Sequence, residues 1–350
     1  MLFLNMGGPA TLDEVEPFLS ELFGDSHLMR LPLQRWTGPL LVRRRLAKVR
    51  AEYAAIGGGS PIRQIGEAQA SAVAERLDRI LPRMAPFRGY VGFRYAAPRT
   101  DTALERMAAD GISRVVAFSQ YPQWSCPTSG SSFIDLAGAL DRTGLGDRFA
   151  WSVIDRWHDH DSLVATLAAA ARDALDLIPP DRREAAPILF TAHSIPMYAV
   201  DRGDDYPREV RDTMAAVMRR LAVPNPARLA WQSAVGPLKW LSPDVPSSIG
   251  DLAAAGARDI VVVPLVFTTD HIETLGELDR QYATLARELG ITGFHRACAP
   301  NLAEGFLDGL AALVARHLAT GERVPRSYRH RCTGCREPRC RPRFGTASTP

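Results

Sequence analysis

Along this chain, short apolar runs alternate with longer segments whose apolar positions recur at helical spacing. That alternation is the mark of an α/β protein built on parallel sheets. The pattern predicts strands at Leu2–Asn5, Gly89–Phe93, Val115–Ser119, Trp151–Asp155, Ile188–Ala192, Leu229–Ser233 and Ile260–Phe267. A loop rich in Gly, Pro, Ser or Thr follows each strand, and open α/β sheets bind ligands at such carboxyl ends. The order also repeats. YVGFRYAAPRTDTALERMAADGISRVVAFSQYP runs strand, Pro-containing loop, helix, Gly111, strand, Pro; LAWQSAVGPLKWLSPDVPSSIGDLAAAGARDIVVVPLVF runs the same way with Gly256 in the place of Gly111. LFLNMGGP likewise pairs with ILFTAHSIP. Two similar halves, residues 1–150 and 151–325, are expected to face each other across a cleft, with a short tail over 326–350.

Composition narrows the classes. The chain has 350 residues, 46% hydrophobic and 23% charged, which excludes wholesale disorder. Its net charge of +3 is spread over mixed signs, with Lys48 and Lys239 the only lysines, so nucleic acid is not an expected partner. No apolar run approaches the roughly 20 residues of a membrane span. MLFLNMGGPA lacks the basic region and long apolar core of a targeting peptide, so a cytoplasmic protein is expected. Residues 29–50 differ: Leu31, Leu33, Trp36, Pro39, Leu40, Leu41 and Val42 lead straight into Arg43, Arg44 and Arg45. Such a lip suits a membrane surface or an apolar anionic ligand, while composition alone favours a core helix with a solvated end.

Three places carry candidate chemistry. His193 follows an apolar run and opens the loop HSIPM, the position of a base or ligand at a strand end. Asp270, His271, Glu273 and Glu277 crowd TTDHIETLGELD directly after a buried strand, with Asp270 placed to cap a helix and Glu273 and Glu277 one turn apart. Carboxylates with imidazole suit proton transfer or a transiently held transition metal. The tail reads RCTGCREPRC, so Cys332, Cys335 and Cys340 have the spacing of a zinc or iron–sulfur centre. The fourth ligand is then Cys126 or Cys298, the remaining two of five cysteines. IGGGSPI fits neither established phosphate-loop spacing and reads as a tight turn.

Taken in order, LNMGGP, IGGGSPI, GFRYAAP, FSQYPQWSC-x-TSGSS, DRW, AHSIPM, RGDDYP, WQSAVGPLKWL and FTTDHIETL resemble the ferrochelatases almost end to end. The resemblance implies two Rossmann-like halves around a porphyrin and a lyase-class enzyme that inserts Fe²⁺ into protoporphyrin IX. His193 matches the family's active-site histidine, Glu273 its carboxylate partner, and Asp270 and His271 the polar group beside it. Met29, Arg44, Arg45, Tyr53, Ser60, Arg94, Tyr95, Tyr121, Trp157 and Trp240 match positions lining the pocket, with Arg44, Arg45 and Ser60 suited to the propionates. The cysteines resemble the subset with a [2Fe–2S] cluster, implying Cys126, Cys332, Cys335 and Cys340 as ligands and leaving Cys298 out. Gln281 departs from the further carboxylate many relatives carry there. A bacterial cytoplasmic homodimer, docked on the membrane surface by the lip, is the expected state; a mature, processed organellar chain would read the same way. Competing readings are a chelatase for coproporphyrin III or cobalt and a non-catalytic porphyrin carrier.

Overall fold

Val, Ile, Leu and Phe concentrate in short runs that the fold buries on both faces, as parallel sheets covered by helices require. In the computed structural model, which describes residues 1–28, 32–236 and 238–325, these runs form β1 (Leu2–Asn5), β2 (Tyr90–Phe93), β3 (Arg114–Ser119), β4 (Ala150–Ile154), β5 (Ile188–His193), β6 (Ala227–Gln232), β7 (Asp259–Pro264) and β8 (Gly293–Arg296). They pair, all parallel, into two four-stranded sheets of order β2-β1-β3-β4 and β6-β5-β7-β8. The predicted strands are all present, with most ends moved by one to three residues, and one further strand is added. β7 stops at Pro264, which has no N–H to continue a ladder. β6 ends before Ser233, whose φ of +64° turns the backbone out of the sheet. β8, with the sequence GFHR, carries no apolar run and was not expected.

Among the described residues, one compact unit comprises Met1–Trp157, Arg202–Asp204 and residues 307–325; the other comprises His158–Asp201 and Asp205–Phe306. The repeat read from sequence is visible in each. In the first unit Phe93 N–H donates to Pro98 O before a helix, and Gly111 (φ +71°) turns the chain into β3. In the second, Trp231 N–H donates to Pro243 O before a helix, and Gly256 (φ +83°) turns the chain into β7. Leu2, Leu4, Leu104, Met107, Phe133 and Trp151 belong to the first unit's core. Leu189, Ile249, Ile260, Val262 and Leu278 belong to the second unit's core. Both sheets reverse strand order between their first- and third-formed strands, and the carboxyl ends there are the crevice position at which open α/β sheets bind ligands.

Candidate active site

In the second unit that crevice lies between β5 and β7, and the titratable residues gather around it. His193 is the last residue of β5, in register with Gln232 on β6. Its Nδ1 lies 2.7 Å from Ser194 O, which only accepts, so Nδ1 carries the hydrogen and Nε2 keeps a lone pair. Tyr206 Oη donates to His193 O at 3.0 Å and fixes the backbone. The loop that follows is pinned by Met197 N–H to Lys239 O (2.8 Å) and Leu241 N–H to Ile195 O (3.2 Å), which sets Trp240 opposite Pro196.

After β7 the chain enters a helix at Ile272–Tyr282 wound in i→i+5 fashion, a π-helix. Its N-cap is His271, which exchanges bonds with Thr274, rather than Asp270. His271 Nδ1 meets Thr269 O at 2.9 Å, so its Nε2 faces Glu273 Oε2 at 3.2 Å. That contact puts the imidazole edge and the carboxylate within hydrogen-bond reach of each other. Glu277 follows on the same helix. Ser233 Oγ (2.6 Å), Gln232 Nε2 (3.0 Å) and Tyr282 Oη (3.4 Å) all donate to its Oε2. Burial first, then the charge of Glu273, push the Glu277 carboxyl above its ordinary range, against the pull of Ser233, His193 and Gln232. Gln232, itself 1% exposed, also donates to Glu273 O at 3.2 Å and so ties β6 to the row. Asp270, read from sequence with the acid–base group, has both oxygens occupied, by Arg296 and by Asn301.

The candidate porphyrin contacts other than Trp240 fall in the first unit, apart from Met29, which lies outside the described residues. Arg44 is exposed on the helix Gln34–Ala55, while Arg45 stands over the Phe23 ring and Tyr53 is buried. On that helix and just ahead of it, Leu33, Trp36 and Leu40 are 77%, 72% and 65% exposed, although Val42 is buried. The core-helix reading of residues 29–50 therefore holds for Val42 and not for the outward stripe. Ser60 is buried behind the glycine turn: Gly57 (φ +113°) and Gly58 (φ +92°) take left-handed conformations. A Cβ on Gly59 would lie 2.1 Å from Ala10 O, so backbone packing accounts for the glycines. Arg94 and Tyr95 converge on Asp25, with Arg94 Nε at 2.7 Å and Tyr95 Oη at 2.6 Å from Oδ2. Tyr121 Oη bonds Met6 N–H, and Trp157 is buried with its Nε1 donating to Ser119 O at 2.9 Å.

Cys126 opens a short π-turn, Cys126–Gly130. Buried Asp204 fixes its entry, accepting from Cys126 N–H at 2.7 Å and Ser125 Oγ at 2.9 Å. Cys126 is partly exposed and Cys298, in the second unit, is exposed. Cys332, Cys335 and Cys340 lie outside the described residues. Among the described residues no group of three or more His, Cys, Asp and Glu is arranged to hold a metal ion. No helix among them is long and apolar enough to cross a membrane.

Sequence reasoning left Gln232, Ser233, Tyr282, Arg296 and Asn301 out of the site. WQS and the tyrosine were visible, but nothing local shows that they close on Glu277.

Comparison with known proteins gives a consistent result. The family model described as Ferrochelatase matches residues 1–318. The protein named "Ferrochelatase, mitochondrial" from Xenopus laevis is 45% identical over 341 residues, covering 97% of this chain and 83% of that protein. Its namesakes from Bos taurus (44% over 342 residues; 97% and 82%) and Drosophila melanogaster (43% over 342 residues; 97% and 89%) match over the same extent.

Proposed function

Because the chain belongs to the ferrochelatase family, we propose that it inserts Fe²⁺ into a porphyrin, protoporphyrin IX, and releases the two pyrrole protons to give haem. The observation that carries this reading beyond the family match is the gathering of His193, His271, Glu273 and Glu277 at one switch point. Insertion needs two N–H protons removed and a dication admitted, and these residues are bases and oxygen or nitrogen ligands. His193 Nε2 takes a pyrrole proton, since Nδ1 is held by Ser194 O and cannot turn away. Glu273, 3.2 Å from His271 Nε2, takes the second proton and passes it on. Glu277, braced by three donors on Oε2, leaves Oε1 for iron or a proton. Gln281 ends the row without a third acid.

Arg44 and Arg45 suit the propionates as forked cations. Ser60 is a weaker candidate on this geometry, since it is buried and its Oγ accepts from Ile62 N–H at 3.4 Å. Arg94 and Tyr95 act through Asp25 in shaping the wall. The halves expected at 1–150 and 151–325 are redrawn at His158, because β4 pairs in the first sheet and residues 307–325 fall in the first unit; 326–350 is read as a cysteine-bearing tail. An anaerobic assay with Fe²⁺ and either protoporphyrin IX or coproporphyrin III tests the reading. Haem formed faster from protoporphyrin IX is expected; tight binding without turnover would instead make the chain a carrier.

The pH dependence of stability reports on Glu277. A raised carboxyl pKa means that the folded chain holds this proton to higher pH than the unfolded chain does, so folding is penalised as pH rises past the ordinary Glu range. Glu277→Gln is expected to raise Tm at about pH 8, with the gain fading toward about pH 4. Thermal melts across pH check this, and a constant offset would contradict it.

Cys126, Cys332, Cys335 and Cys340 would hold a [2Fe–2S] cluster, and the fixed, partly exposed Cys126 fits one ligand position. When bound, the cluster would supply electron-accepting iron, and no step of insertion uses it. Anaerobically purified protein is expected to absorb in the visible, Cys126→Ser to lose that absorption and Cys298→Ser to keep it. Colourless protein containing zinc would overturn the assignment. The exposed stripe of Leu33, Trp36 and Leu40, with Arg43 and Arg44 close by, supports docking on an anionic membrane surface.

A further inference from the structure

An i→i+5 helix is an uncommon winding, and the sequence ETLGELD gives no local reason for it. Leu278 fastens one side of the helix to the second unit's core. The other fastening is polar. Arg296 closes β8, held to the sheet by register with Val262 and by Ala297 N–H donating to Val262 O at 2.8 Å. Its guanidinium takes both oxygens of Asp279 on the π-helix, Nη2 reaching Oδ2 at 3.0 Å, while Nη1 reaches Asp270 Oδ1 at 3.2 Å. Asn301, itself at φ +43°, completes the arrangement. Its Nδ2 donates to Asp270 Oδ2 at 2.7 Å, its Oδ1 accepts from Asp270 N–H at 2.8 Å, and its N–H donates to Thr268 O at 3.0 Å. Arg296 and Asp270 are each at least four-fifths buried, at 13% and 16% side-chain exposure, so the contact is shielded from water.

We propose that Arg296 is a positioning residue for the acid–base row: it clasps Asp270, the residue before His271, to Asp279 on the π-helix. The clasp fixes where the helix begins and keeps its wide winding, and so sets Glu273 and Glu277 relative to His193. A forked cation is needed because one group must meet carboxylates on two segments at once. Asp270 on this view acts through Arg296 and Asn301 rather than on the substrate. The functional half of this inference rests on the iron-insertion reading above; the structural half does not.

The test uses the full chain with Asp279→Asn, Arg296→Gln and Arg296→Lys. Amide hydrogen exchange over 272–282 reads the winding, while kcat and KM for Fe²⁺ and the Kd for porphyrin read the consequence. Asp279→Asn and Arg296→Gln are expected to speed exchange in 272–282 about tenfold or more and to lower kcat about tenfold, with porphyrin Kd within about twofold. Arg296→Lys, keeping the charge without the fork, is expected to fall between these and the native chain. If Arg296→Gln does not fold, Asp279→Asn alone carries the test, since Asp279 is one-third exposed. Unchanged exchange in 272–282 would overturn the clasp, and faster exchange with unchanged kcat would overturn its role in catalysis. A native chain that inserts no iron would refute the function, while the exchange data would still judge the clasp.

Discussion

His193→Ala lowers the rate of iron insertion by about 10²- to 10⁴-fold, the range for losing a positioned proton-transfer group. The size follows from placement. His193 ends a buried strand, Tyr206 holds its carbonyl, and Ser194 O fixes its tautomer, so the imidazole is held in place at that strand end. The nearest imidazole by sequence logic, His271, is tied to Thr269 O and Glu273. Porphyrin still binds, because the ring's apolar contacts and propionate partners lie elsewhere in this account. The loss therefore falls on kcat, with porphyrin KM little changed. Single-turnover absorbance after mixing with Fe²⁺ separates binding from insertion, and retention of native kcat would remove His193 from the mechanism.

Glu273→Gln is the second large effect, about 10²-fold on kcat. The amide keeps the size of the side chain and its place beside His271, so folding is little disturbed. What it loses is the carboxylate that can accept a proton or bind a dication beside His271 Nε2. An amide placed there either donates permanently to His271 or presents an oxygen that no longer binds a dication well. Both consequences fall on iron and protons, so KM for Fe²⁺ rises while porphyrin Kd stays near native. A variant with equal losses in porphyrin binding and in kcat would show that Glu273 shapes the pocket instead.

The strands and the duplication were legible because they rest on apolar periodicity and on Gly111 and Gly256, which local sequence displays. His193 was legible for the same reason, as a polar residue at the end of an apolar run. The π-helix was not. Residues spaced as Glu273 and Glu277 are look alike in an α- and a π-helix, so the sequence read Asp270 as an ordinary cap. Its actual partners, Arg296 and Asn301, lie 26 and 31 positions on and reach it only through β8, whose GFHR gives no strand signal. Gln232 and Ser233 escaped similarly. Their closure on Glu277 depends on parallel pairing of β5 with β6 and on the φ of +64° at Ser233. Parallel register is set by crossovers, not by any neighbour in sequence.

The central claim is turnover at the His193–Glu273 row, and the absorption spectrum of the purified chain tests it most directly. Under anaerobic conditions with excess protoporphyrin IX and Fe²⁺, the free-porphyrin bands are expected to give way to those of haem over many equivalents, at a rate that His193→Ala lowers by about 10²-fold or more. A spectrum in which porphyrin binds stoichiometrically and no haem accumulates with iron would contradict the account.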